Sequence, residues 1–266
     1  MTFKDQFVHN YIARAPLALA LERSYECHIL SQQKFERPIL DIGCGDGIFA
    51  AILFKEQIDT GIDPQQQELD NAKNSDMYKE LLCCDAQKIP KANGTYKTIF
   101  TNSVIEHIIP VREVLEEAWR VLADDGRMYL TVPTDLFDHF FISYQLFSWL
   151  GLHALAERLR IFFNRFWKHH HCYNEAGWKK IFEETGWGVV QCREYDPKSS
   201  CMLHDSLVPL GIVSFLSHRL LNRWFICPAL RKYYAPILGF VFSSSVSHSL
   251  LVKERGGLIF FELKKK

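Results

Sequence analysis

Leu40-Asp41-Ile42-Gly43-Cys44-Gly45-Asp46-Gly47 reads as a short apolar strand that turns, through an acid and three glycines at alternate positions, into a helix. Glycines placed this way let the backbone approach a ligand and take dihedrals that a Cβ would obstruct. A dinucleotide fingerprint would put its third glycine at position 48, where this chain has Ile48, and would aim a helix N-terminus at a pyrophosphate. Here the third glycine comes one residue early. Asp41 adds a negative charge that phosphates would repel, so the loop suits a ligand bearing an amino group and a sulfonium.

Working outward, Arg37 to Ile42, Ile58 to Ile62, Leu81 to Cys84, Tyr96 to Thr101 and Arg127 to Val132 are strand-like. Helix-length stretches separate them: Gly47 to Gln57, Gln65 to Asn74 and Val111 to Leu122. Strands alternating with helices imply a parallel sheet covered on both faces, with all strand C-termini on one rim. Gly61-Ile62-Asp63 ends the second strand in an acid whose two oxygens can accept both ribose hydroxyls, which indicates a nucleoside. Cys84-Asp85-Ala86 ends the third, where a carboxylate or amide can meet an adenine amino group, and Thr101-Asn102-Ser103 ends the fourth. One acid at a strand end is commonly a helix cap. Four such ends in order are not explained that way.

LDIGCGDG, GIDP, CCDAQKIP, TIFTNSVIEHI and AWRVLADDGRMYLTVP resemble the successive motifs of class I S-adenosylmethionine-dependent methyltransferases, closest to the type 11 methyltransferase-domain group. The likeness covers Pro38 to Pro133 and, more loosely, the Tyr173 to Gly186 helix with its flanking strands. It implies an α/β fold: a seven-stranded, mostly parallel Rossmann-like sheet with helices on both faces, the last strand antiparallel, and helical insertions after strand five and between strands six and seven. The implied cofactor is S-adenosyl-L-methionine. Asp41, Gly43, Cys44 and Gly45 would contact its methionine part, Asp63 the ribose, Asp85 and Ala86 the adenine, and Asn102 the methionyl side, with Val104 and His107 just beyond. Ala123-Asp124-Asp125-Gly126 departs from the relatives' proline and paired glycines, at a turn away from the cofactor. Glu106-His107 resembles part of the E-x-x-E-H sequence of ubiquinone-pathway O-methyltransferases, but Ser103 replaces the first acid, and losing a hard oxygen ligand argues for no metal.

Beyond Pro133 the alternation breaks. A helix capped by Asn174 runs to Thr185 with Gly186 as its stop, Gly188 to Tyr195 is a strand, and Gly257 to Leu263 is the last strand. We read one domain, residues 1–266: an N-terminal helical segment at 1–36, a cofactor-binding core at 37–132, and acceptor-side insertions at 133–172 and 196–255. With strand six parallel to the first five and the last strand antiparallel, as the resemblance implies, both insertions leave the cofactor rim and should shape the acceptor pocket. In the first, Leu152, Leu155, Leu159, Phe162 and Phe166 form one stripe and His153, Glu157, Arg160, Asn164 and Lys168 the opposite one. This helix reads as a lid packed on the domain; the alternative is an interfacial helix aided by Arg158, Arg160, Arg165 and Lys168. Tyr233 to Val252 has no formal charge, yet its serines, glycine, proline and His248 argue against a membrane span. With Leu207 to Leu221 it reads as helices over an apolar pocket, or as a surface for dimerisation or membrane contact.

Lys168-His169-His170-His171-Cys172-Tyr173 invites a metal hypothesis, but adjacent residues of an extended segment point to opposite faces. One of His169 to His171, with His171 foremost, or Tyr173 is instead the candidate for orienting or deprotonating the acceptor, since the resembling relatives carry a histidine and an aromatic before the same helix, and His107 stands with them. The donor is already activated, so no serine or cysteine nucleophile is needed. Lys plus Arg equals Asp plus Glu at 31 each, which gives no field for nucleic acid. Eight cysteines, at 27, 44, 83, 84, 172, 192, 201 and 227, form no C-x-x-C pair. The apolar run Ala15 to Leu21 is too short for a signal peptide and reads as a helix with Pro16 in its first turn. The expected protein is a cytoplasmic methyltransferase acting on a small-molecule, lipid-like or saccharide-linked acceptor, with peripheral contact at the inner membrane surface and a homodimer as the open partner readings. A cofactor-binding adaptor without turnover, working through the hydrophobic insertions, is the rival class.

Overall fold

Ile39, Leu40 and Ile42 are withdrawn from solvent because β1 (Ile39–Ile42) lies inside a sheet, with β2 (Ile58–Asp63) and β4 (Tyr96–Asn102) parallel on its two sides. The structure is a computed structural model and describes residues 1–221, 224, 231–251 and 254–266. Cys227 and Val252 lie outside the described residues. β3 (Tyr78–Cys83), β5 (Leu122–Pro133), β6 (Trp187–Pro197) and β7 (Gly256–Lys265) complete the order β3-β2-β1-β4-β5-β7-β6. β7 runs antiparallel to both its neighbours while the other pairs are parallel, the seven-stranded arrangement expected.

The period of two along each strand divides the core. Tyr129 and Phe260 join one cluster with Phe7, Tyr25 and Phe54; Leu130 and Phe261 join the other with Val114, Trp178 and Phe182. The first face carries α1 (Phe7–Ile12), α2 (Leu17–Leu30), α3 (Ile48–Leu53) and α4 (Gln66–Lys73). The second carries α5 (Val111–Val121) and α8 (Glu175–Glu184). Asn174 caps α8 as expected: its Oδ1 accepts the Gly177 N–H at 2.8 Å, and Gly186 follows at φ +85°. β5 starts at Leu122 rather than Arg127, and the surplus residues are absorbed as an irregularity opposite Tyr96 to Thr98.

The insertions are helical: α6 (Ile142–Trp149) and α7 (His153–Trp167) after β5, then α9 (Lys198–Leu221) and α10 (Arg231–Leu251) between β6 and β7. α7 packs on the domain, as the lid reading expects, but by an unexpected face. The middle of its polar stripe faces the protein: Arg160 Nη1 donates to buried Asp138 at 2.7 Å, Asn164 donates to the same carboxylate, and Glu157 accepts from Arg160 at 2.9 Å. The apolar stripe is turned outward, with Phe162 58% and Phe166 62% exposed. A buried carboxylate demands charged partners more strongly than one helix face demands burial, so Asp138 sets the rotation. Among the described residues no helix is long and apolar enough to cross a membrane.

Candidate active site

Three backbone turns build the glycine loop at the end of β1. Gly43 has φ +75°, and a Cβ there would lie 2.4 Å from Val104 Cγ1, so only glycine lets the loop close on the β4 end. At Gly45 a Cβ would meet nothing within 4 Å: the chain faces open space, a cradle rather than a packing contact. Asp63 ties the loop to β2, its Oδ2 accepting the Gly45 N–H at 3.1 Å and its Oδ1 the Gln65 N–H at 2.9 Å. Each carboxylate oxygen keeps a further lone pair. Asp41 lies below the loop, 4% exposed, and accepts the Tyr78 hydroxyl at 2.8 Å. Burial pushes its carboxyl up to about 7, the Tyr78 hydrogen bond opposing and the Asp63 charge adding to the rise.

A cleft of about 210 Å³ opens above this loop, floored by Gly43, Cys44 and Asp46 and walled by Asn102, Ser103 and Val104. Tyr11, Leu19 and Arg23 from the N-terminal segment close it, with Trp224 on the far side. Glu26 of α2, fully buried, organises that wall. It accepts Arg23 Nη1 at 2.8 Å on both oxygens, Asn102 Nδ2 at 2.6 Å, Ser103 Oγ at 2.8 Å and the Tyr195 hydroxyl at 3.2 Å. Ser103 is held at φ +50°, a conformation a non-glycine residue keeps only under such constraint. The hydroxyl standing where relatives have an acid is thus committed to Glu26, and a fixed guanidinium occupies the neighbourhood.

A second cavity of about 350 Å³ adjoins the first, sharing Leu19, Arg23 and Trp224 as wall. Phe137, Phe141, Phe163 and Trp167 make its apolar side; Glu22, Asp196 and His204 make a polar end, and His107 and His169 stand between. Three of these groups were invisible to motif reading. His204, 6% exposed, turns Nδ1 to Asp196 Oδ2 at 3.5 Å, while His204 Nε2 and Asp196 Oδ1 are buried without a hydrogen-bond partner. Burial works against the imidazolium, but the Asp196 carboxylate outweighs it and holds His204 above the ordinary histidine range. Burial raises the Glu22 carboxyl to about 7.

His107 and His169 shift in the opposite direction from His204. Their rings lie 5.0 Å apart, and burial lowers both, His169 to about 4, so both are neutral near pH 7. His107 Nδ1 meets the Lys168 carbonyl at 3.2 Å, and Nε2 lies 3.8 Å from Glu106 Oε1. Glu106, 2% exposed, is driven up to about 8 by burial, and its Oε2 has no partner.

The structure brings Gly43, Cys44 and Asn102 together around the smaller cleft and places Asp41, Gly45 and Asp63 beneath or beside it. Ala86 is buried and Asp85 exposed at the β3 end. His107 lines the larger cavity, whereas His171 and Tyr173 are outside its lining. Their side chains pair at 3.1 Å, and His171 Nε2 reaches the Ile108 and Ile109 carbonyls at 3.0 and 3.1 Å. That bracing holds the loop after His107, and His169 is the member of the histidine run that reaches the cavity. Asp46, Glu68 and His218 gather their polar atoms within 4.8 Å of one another; Trp224 donates to Asp46 at 3.0 Å and stacks on His218 at 4.1 Å. This contact joins α9 and the residue beyond it to the glycine loop.

Residues 9–192 match the family described as a methyltransferase domain. A malonyl-[acyl-carrier protein] O-methyltransferase of Legionella pneumophila is 32% identical over 108 residues, covering 38% of this chain and 38% of that protein. A mitochondrial ubiquinone biosynthesis O-methyltransferase of Bos taurus is 26% identical over 102 residues, covering 35% of this chain and 28% of that protein. The chain therefore spans well under half the length of these relatives. The crystal structure of a geranyl diphosphate C-methyltransferase from Streptomyces coelicolor, in complex with Mg2+, geranyl diphosphate and S-adenosyl-L-homocysteine, has a TM-score of 0.55 at 11% identity, covering 94% of this chain and 82% of that one. That last likeness is one of fold.

Proposed function

The chain belongs to the methyltransferase-domain family of class I S-adenosylmethionine-dependent methyltransferases, and from that premise we propose that it methylates an oxygen or nitrogen of a lipid-like acceptor held in the larger cavity. The observation carrying this reading is the shared wall: a glycine-loop cleft and an aromatic cavity meet at Leu19, Arg23 and Trp224. A volume of about 350 Å³ with an apolar side and a polar end suits one amphipathic molecule better than a polymer.

The smaller cleft fits the donor by its own chemistry. Gly45 leaves open space where a side chain would intrude, and Tyr11, Phe49 and Trp224 offer aromatic surface to a cation. In our reading Gly43, Cys44 and Asn102 hold the methionine part over Asp41, Asp63 meets the ribose, and Asp85 and Ala86 the adenine. Arg23, pinned by Glu26, is the fixed cation available to a carboxylate. When bound, S-adenosylmethionine supplies an activated methyl electrophile.

Acceptor chemistry then falls to two imidazoles. A base works best with a pKa near the working pH, and His204 is the cavity histidine whose basicity a carboxylate raises. We assign it the acceptor's proton, with Asp196 orienting the ring. His107, neutral and three residues past Val104 of the donor cleft, orients the acceptor's polar atom. Phe137, Phe141, Phe163 and Trp167 hold the apolar body and exclude water.

Labelled donor incubated with fractionated lipid extract tests this reading. Label in an organic-soluble product is expected. Tight binding of S-adenosylhomocysteine with no labelled product from any fraction would instead favour the adaptor reading.

A further inference from the structure

α7 is built inside out. Its acid, Glu157, and its arginine Arg160 face Asp138 and Tyr144, while Leu155, Phe162 and Phe166 project away from the domain. α6 continues that surface with Leu146, Leu150 beyond its end, and Trp149, which is 81% exposed. Across Ile142–Trp167 the single carboxylate is Glu157, so the outer side carries no negative charge. Arg158 and Arg165, seven residues apart, border the apolar stripe, with Lys168 at the helix end. All three are exposed, and none is paired with a carboxylate among the described residues. An apolar face edged by unpaired cations complements one common partner: the surface of a bilayer containing anionic lipid.

We propose that α6 and the outer face of α7 dock on an anionic membrane surface. Trp149, Phe162 and Phe166 enter the boundary between headgroups and acyl chains, and Arg158 and Arg165 lie against the anionic headgroups. Phe163 and Trp167, on the flank of α7 between its apolar and polar stripes, line the larger cavity, so one helix borders both bilayer and cavity. Entry of the acceptor from the bilayer beside α7 rests on the acceptor reading above; the docking itself does not.

The test uses the full chain with vesicles of phosphatidylcholine alone or mixed with phosphatidylglycerol, read by co-sedimentation and by quenching of tryptophan fluorescence with brominated lipid. Binding to mixed vesicles, weakened by added salt, is expected, with quenching largely lost in Trp149→Phe. F162S/F166S and R158E/R165E should each weaken partitioning by about tenfold or more. These side chains are exposed, so both variants should keep the melting temperature and the calorimetric heat with S-adenosylhomocysteine. Failure to sediment with mixed vesicles, or wild-type partitioning by F162S/F166S, overturns the proposal. A dimer in solution that F162S/F166S converts to monomer also overturns it, giving the face to a second copy. Membrane docking with no methylated lipid would sink the acceptor reading and leave the docking standing.

Discussion

Asn102 at the end of β4 donates its side-chain amide to Glu26 of α2 at 2.6 Å, joining residues 76 apart in the chain at the wall of the glycine-loop cleft. Glu26 also holds Arg23, Ser103 and Tyr195, so one buried carboxylate fixes helix, strand end and cation together. Glu26→Ala leaves Arg23 with Glu22 at 3.5 Å as its remaining ion pair and should cost roughly 3–5 kcal/mol in chemical denaturation. Calorimetry should show weaker S-adenosylhomocysteine binding, because Asn102 and Ser103 lose their anchor. Wild-type stability would remove Glu26 from the centre of this wall.

Gly43→Ala places a Cβ 2.4 Å from Val104 Cγ1 on backbone already at φ +75°. Affinity for S-adenosylhomocysteine should fall at least about tenfold, since loop and strand end must part. G43A/V104A should recover part of the loss, the contact being relieved while the dihedral cost stays. Equal affinity in the single and double variants would show that the collision plays no part.

The Glu106 carboxyl sits at about 8 in the fold against 4.5 for the free group, because burial disfavours its charge. A folded value above the unfolded one means this site's stability is whole below about pH 4.5 and is lost as pH climbs through about 8. Glu106→Gln should therefore gain on wild type across that window, approaching a difference of roughly 5 kcal/mol above it. Denaturant unfolding across pH reads the difference directly. A difference that does not change with pH would show that Glu106 ionises normally.

Asp196 raises His204, so Asp196→Asn should move the acid limb of kcat/KM to lower pH, with a loss of activity at the optimum. Asparagine tolerates the φ of +59° at this position, which keeps the backbone comparable. His107→Ala should lower kcat and leave that limb where it is. An unmoved limb in Asp196→Asn would take the proton away from His204.

The glycine-loop cleft was legible because its parts are local: glycines, an acid and a strand within eight residues, then further strand ends in sequence order. Alternation of strand and helix also sufficed for a parallel sheet covered on both faces, since parallel neighbours require crossovers, while the seven-stranded arrangement with its antiparallel last strand came from the family resemblance. The cavity's polar end left no such trace. Glu22, Asp196 and His204 come from a helix before β1, a strand end and the second insertion, and no period links side chains this far apart. His171 and Tyr173 looked like acceptor groups from their place before α8, yet their partners are each other and two backbone carbonyls.

Periodicity alone established that α7 has an apolar and a polar stripe; which one faces inward depended on what waited there. Asp138, buried on the domain side, needed charge and hydrogen bonds that Arg160 and Asn164 could provide, and Phe162 and Phe166 were left to the outside. A sequence read by itself carries the pattern of each element. Rotation, and the pairing of buried charges that imposes it, belongs to the tertiary structure, because desolvating a carboxylate costs more than exposing a few apolar side chains.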